Sequence, residues 1–85
     1  ELNFTCFPNP FTDYTKIEFY LPYKSNINLS IYNSSGVLVK EYINSEKKVG
    51  NYSYQINSDN LEEGIYFITL KTDRTLNTKK LVLLK

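Results

Sequence analysis

Polar and apolar residues alternate one for one through Thr15–Leu21 (TKIEFYL), Asn26–Tyr32 (NINLSIY) and Asn51–Ile56 (NYSYQI). Successive side chains of an extended chain point to opposite faces, so a period of two buries one face of a strand and wets the other. In the first run Ile17, Phe19 and Leu21 oppose Lys16 and Glu18. In the second Ile27, Leu29 and Ile31 oppose Asn28 and Ser30, and in the third Tyr52, Tyr54 and Ile56 oppose Ser53 and Gln55. No apolar stripe at the 3.6-residue helical period accompanies them. Eight Tyr, five Phe and many Ile, Val, Thr and Leu fit the same half-buried pleated surface.

Turn chemistry separates the runs. Pro22 ends one of them, and NSSG (Asn33–Gly36) places Gly36 where a positive φ is wanted. EKKVGN (Glu46–Asn51) is a polar connection, NSDNLEEG (Asn57–Gly64) an acidic one with room for a short helical turn, and TDRTLN (Thr72–Asn77) a final hairpin. Seven strands follow: Asn3–Phe7, Thr15–Leu21, Asn26–Tyr32, Leu38–Ile43, Asn51–Ile56, Ile65–Thr72 and Asn77–Leu84. Short strands at near-regular spacing without helices predict an all-β fold, a seven-stranded antiparallel immunoglobulin-like β-sandwich with hairpin and Greek-key connections. The Trp and the Cys pair of antibody domains are missing. Eighty-five residues allow one domain, 1–85.

Composition narrows the chemistry. The chain has no His and a single Cys. Cys–His and Ser–His–Asp nucleophile systems, His-ligated metal sites and thiolate clusters are therefore excluded, as is an intrachain disulfide. Ten basic residues balance nine acidic ones, a net charge of +1 that gives no footprint for nucleic acid or a membrane surface. No apolar run reaches bilayer-spanning length and no leader peptide opens the chain. With no Met, the chain reads as part of a longer protein.

The remaining candidates each have a plain structural reading. Asp13, Glu18, Glu62, Glu63 and Asp73 lie in turns or on the wet faces of strands, where solvation accounts for them better than a paired-carboxylate cleft. Glu62–Glu63 lacks the spacing of a calcium loop. Cys6, without a basic neighbour in sequence, reads as a small buried hydrophobe. Tyr52, Tyr54 and Tyr66 occupy inward positions, whereas Tyr14, Tyr20, Tyr23 and Tyr32 are candidates for exposure and for stacking on a sugar. The sequons at Asn3, Asn28, Asn33 and Asn51 carry little weight in a chain so rich in Asn and Ser. Lys47–Lys48 and Lys79–Lys80 fit solvated turn and edge-strand positions that deter aggregation.

Four stretches in fixed order add a family signal: FPNPF (Phe7–Phe11), IYNSSGVLVKEY (Ile31–Tyr42), LEEGIYFITL (Leu61–Leu70) and KKLVLLK (Lys79–Lys85). Together they resemble the type A C-terminal sorting domain of the type IX secretion system of Bacteroidetes. Each stretch also has a physical reading. Pro8 and Pro10 fix φ and push Asn9 out of the helical region, a rigid corner that Phe7 and Phe11 can pin to the core. Gly36 closes a hairpin, with Val37 standing where the family carries a basic residue. Leu61 anchors the acidic connection, Gly64 turns the chain into the next strand, and Tyr66, Ile68 and Leu70 share a face.

The resemblance implies a sorting signal and no enzyme activity of its own. Its signal residues are Pro8, Asn9, Pro10, Gly36, Gly64 and Tyr66, with the run Lys79, Lys80, Leu81, Val82, Leu83, Leu84 and Lys85. The implied partners are the translocon and its shuttle proteins, a sortase-like cysteine protease and an upstream cargo domain, with no cofactor, small-molecule substrate or nucleic acid. The cargo passes through the periplasm to the cell surface or beyond, often to be attached to lipopolysaccharide, and its junction with this domain falls near Glu1. Because a signal read at the C-terminus must stay uncovered, the resemblance also implies that the last strand lies at or near a sheet edge, with Lys79, Lys80 and Lys85 accessible to the translocon. The competing reading is a passive immunoglobulin-like structural, adhesion or carbohydrate-binding module of a secreted protein.

Overall fold

A computed structural model describes residues 2–85. The cargo junction expected near Glu1 falls at the margin of this span, and Glu1 itself lies outside the described residues. Seven strands form the fold: β1 (Phe4–Phe7), β2 (Tyr14–Leu21), β3 (Ser25–Asn33), β4 (Leu38–Lys47), β5 (Gly50–Asn57), β6 (Gly64–Lys71) and β7 (Leu76–Leu83). They build a three-stranded sheet, β1-β2-β5, and a four-stranded sheet, β4-β3-β6-β7, and every strand pair is antiparallel. The chain leaves the second sheet after β4, adds β5 beside β2 in the first, and returns to set β6 beside β3. This is the Greek-key order of an immunoglobulin-like sandwich.

The alternating runs supply the core. Ile17 and Leu21 from β2, Ile27, Leu29 and Ile31 from β3, Ile68 and Leu70 from β6, and Leu81 and Leu83 from β7 are all at most 1 % exposed. Phe4, Phe11 and Ile56 fill the remainder. A single Cys allows no intrachain disulfide and no cluster of metal-ligating side chains converges among the described residues, so this apolar packing carries the stability. Truncating any one of these Leu or Ile side chains to Ala costs about 2–5 kcal/mol.

Several expectations need correction. β4 runs on to Lys47 rather than ending at Ile43, so the connection into β5 shrinks to Lys48–Val49. Its added residues, Asn44, Ser45, Glu46 and Lys47, are held by backbone pairing to Asn28, Ile27, Asn26 and Ser25. Most of this edge strand is exposed, so no buried face writes a hydrophobic pattern into it. The acidic connection has no helical turn; it closes through the Leu61 N–H donating to the Ser58 carbonyl at 3.0 Å.

Other corrections concern side chains. Phe7 does not pin the corner, because the pleat that turns Phe4 inward leaves Phe7 outward and 78 % exposed. Tyr52 and Tyr54 are only half-buried. They close the open side of the sandwich between β4 and β5, Tyr54 against Tyr42 (ring centroids 5.6 Å apart) and Tyr52 stacked on Phe19 (5.5 Å). Cys6 is also half-buried, and burial pushes its thiol up to about 11 against the opposing pull of Lys79.

Candidate functional site: the Pro8–Phe11 corner and the last strand

β7 is the edge strand of the four-stranded sheet, paired on its inner side with β6 from Gly64↔Leu83 to Lys71↔Leu76. An edge exposes a row of unpaired backbone groups, a template for unwanted pairing. Here the corner after β1 covers that row. The Phe11 N–H donates to the Val82 carbonyl and the Leu84 N–H donates to the Phe11 carbonyl, both at 2.9 Å, making a parallel bridge between Phe11 and Leu83.

The Asn9 side chain continues the pairing. Its Nδ2 donates to the Lys80 carbonyl at 2.9 Å, and its Oδ1 accepts the Val82 N–H at 3.1 Å. The side-chain amide therefore does the work of one more peptide unit. Four consecutive outward groups of β7 (Lys80 C=O, Val82 N–H and C=O, Leu84 N–H) are paired in this way. Only a carboxamide offers a donor and an acceptor in that geometry. The flanking Pro8 and Pro10 bring no N–H of their own to satisfy, and both X–Pro bonds here are cis. Phe11, 1 % exposed, fixes the corner in the core.

Farther along the same strand, Asn77 donates from Nδ2 to the Leu2 carbonyl, so the first described residues also lie against β7. At its far end the Lys85 N–H donates to the Glu63 carboxylate at 3.1 Å.

The pleat sorts the side chains of the last strand. Leu81 and Leu83 are fully buried. Lys80, Leu84 and Lys85 are exposed, and Val82 is half-buried. Lys79 departs from the expected access: it lies on the inward face, half-buried, its ammonium 5.6 Å from the centre of the Phe4 ring. The lysine pair is thus split between the two faces of one strand.

The other motif residues gather at the same end of this sheet. Gly64 stands opposite Leu83, and Tyr66 opposite Leu81 on one side and Asn33 on the other. Tyr66 is buried, its hydroxyl donating to the Glu62 carbonyl. Gly36 ends the β3–β4 turn at φ 83°, its N–H donating to the Asn33 carbonyl at 2.9 Å. Asn33 Oδ1 accepts the N–H groups of Ser35 and Val37, which locks that turn. Sequence reasoning had no signal for the pairing of Asn9 with Lys80 and Val82, more than seventy residues away, because a corner that pairs through one side chain writes no periodicity.

The competing chemical candidates do not assemble. Asp13, Glu18, Glu62, Glu63 and Asp73 are all exposed, and among the described residues no group of three or more metal-ligating side chains converges. Tyr14 and Tyr20 stand near opposite ends of β2, 44 % and 52 % exposed, while Tyr23 is covered by Arg74 at 4.1 Å and tied to Thr72 through its hydroxyl.

None of the curated proteins and none of the solved structures compared with the chain matches it. The family model described as the secretion system C-terminal sorting domain does, over residues 5–84, from within β1 to just past β7. That span includes the corner, the turn at Gly36, the entry to β6 and the last strand, and the chain accordingly belongs to the type IX secretion C-terminal sorting domains.

Proposed function

We propose that this chain is the sorting signal of a larger secreted protein. It directs an upstream cargo domain through the type IX translocon across the outer membrane, is handed on by shuttle proteins, and is cut from the cargo at the cell surface by a sortase-like cysteine protease. The cargo passes through the periplasm and finishes at the surface or in the medium. The domain performs no reaction of its own in this scheme; it is ligand and substrate. The observation that carries the reading is the family match across nearly the whole chain. The edge position of β7, with Lys80 and Lys85 turned to solvent, suits a signal read on the folded domain.

The test is a reporter carrying a leader peptide and this chain at its C-terminus, expressed in a bacterium with a working type IX system. The reporter is expected in the medium or on the cell surface, and retention in the periplasm refutes the reading. Deleting Lys79–Lys85 is a poor companion experiment, since it also removes Leu81 and Leu83 from the core and loses the fold together with any signal. Charge reversal at Lys80 and Lys85 leaves the core intact.

A further inference from the structure

The outer face of the four-stranded sheet is divided into two halves. Residues opposite one another in an antiparallel ladder share a face. One outward row runs Leu38–Tyr32–Phe67–Lys80 across β4, β3, β6 and β7. The next outward row adds Ile65 beside Val82. Leu38, Ile65 and Phe67 are 51 %, 43 % and 37 % exposed although they contribute nothing to the core. At strand spacing the four-residue row is roughly 14 Å wide. The other half is mainly polar: Glu41, Ser30, Thr69 and Thr78 form its first row, Asn44, Asn28, Lys71 and a lone exposed Leu76 the next, and Asn28 bonds both Glu41 and Ser30.

An exposed apolar patch with a polar border marks an interaction site. Three of the four stretches that carry the family resemblance contribute to it: Tyr32 and Leu38, then Ile65 and Phe67, then Lys80 and Val82. The fourth, Pro8–Phe11, occupies the backbone edge beside it, so at Lys80–Leu84 a partner cannot add a strand and must meet side chains. Lys80 is the one charge in these two rows, and it has no ion pair among the described residues. A partner that covers the row covers an ammonium, and an unpaired buried ammonium is strongly unfavourable.

We infer that this half-face is the docking surface for a protein of the secretion machinery, one that presents an apolar stripe with a carboxylate placed to meet Lys80. The inference rests on the sorting-signal reading and names the surface and partner chemistry through which it acts. An anionic lipid surface is the lesser fit, because such recognition takes a cluster of several basic residues, whereas Glu62 and Glu63 stand exposed at the same end of the sheet.

The test compares four full chains behind the same exported reporter: the parent, Ile65→Thr/Phe67→Thr, Lys80→Glu, and Lys71→Glu in the polar half as control. Thr keeps the strand preference, and melting of the purified chains checks the fold, which Lys80→Glu leaves untouched at an exposed position. Export of the double variant and of Lys80→Glu is expected to fall about tenfold or more, as for the central residues of an interface, with Lys71→Glu at the parent level. A parent that exports alongside equally exported variants overturns the docking surface and leaves the sorting reading standing; a parent retained in the periplasm overturns both. Phe67-dependent binding of the purified chain to phosphatidylglycerol vesicles overturns the assignment to a protein partner.

Discussion

Replacing Asn9 with alanine removes the two hydrogen bonds that extend the corner along β7, Nδ2 to the Lys80 carbonyl at 2.9 Å and the Val82 N–H to Oδ1 at 3.1 Å. A net protein hydrogen bond is worth about 0.5–1.5 kcal/mol. Asn9 is exposed, so water recovers part of the loss, and the expected destabilisation is about 1 kcal/mol in total. For a domain of this size that lowers Tm by about 4–8 °C. Amide hydrogen exchange locates the effect. Val82 loses protection, while Leu84, whose N–H is held by the Phe11 carbonyl, keeps much of its own. Asn9→Asp separates the two bonds: the carboxylate still accepts from Val82, but its second oxygen now faces the Lys80 carbonyl. That variant retains Val82 protection while losing stability. Unchanged Val82 exchange together with an unchanged Tm in Asn9→Ala refutes the pairing of the corner with the last strand.

Two further predictions concern the interior. The Thr15 hydroxyl is fully buried and has no hydrogen-bond partner among the described residues; Thr15→Val removes that desolvated group at nearly constant shape and is expected to stabilise the fold by about 1 kcal/mol, read as a rise in Tm, whereas a fall shows that the hydroxyl is bonded after all. Burial holds the Cys6 thiol at about 11 against its usual 9.0, so the folded state binds the proton more tightly than the unfolded state; the Cys6 contribution to stability is present below pH 9 and is lost as the pH rises from 9 to 11. Its alkylation at pH 8 is accordingly slower than that of a free thiol, and alkylation at the free-thiol rate contradicts the buried placement.

Where a strand buries one face, that face was legible in the sequence. Ile17, Phe19 and Leu21, Ile27, Leu29 and Ile31, and Tyr66, Ile68 and Leu70 all turned inward as alternation required. What failed had no such face. The second half of β4 is solvated on most sides, so its polar sequence reads like a turn even though its backbone is paired to β3. Phe7 and Phe11 flank the same corner symmetrically in sequence, yet the pleat of β1 sends Phe7 to solvent while Phe11 fills the core. The split between Lys79 and Lys80 was implicit in the period of two, but reading the pair as one basic feature hid it. The contact between Asn9 and β7 depends on topology alone, through the closure of the sandwich on the side where β1 and β7 meet.

That closure gives the domain a property beyond recognition. The corner is synthesised more than seventy residues ahead of the backbone groups it pairs with and of the Leu81 and Leu83 that fill the core beneath. A chain that stops before Leu76 leaves Asn9 and Phe11 without partners and the sandwich without an edge strand, and a frame shift there removes Leu81 and Leu83 from the core. A correctly folded last strand therefore certifies that translation ran through the whole domain in frame. A partner that accepts only the folded domain thereby accepts only chains translated through it.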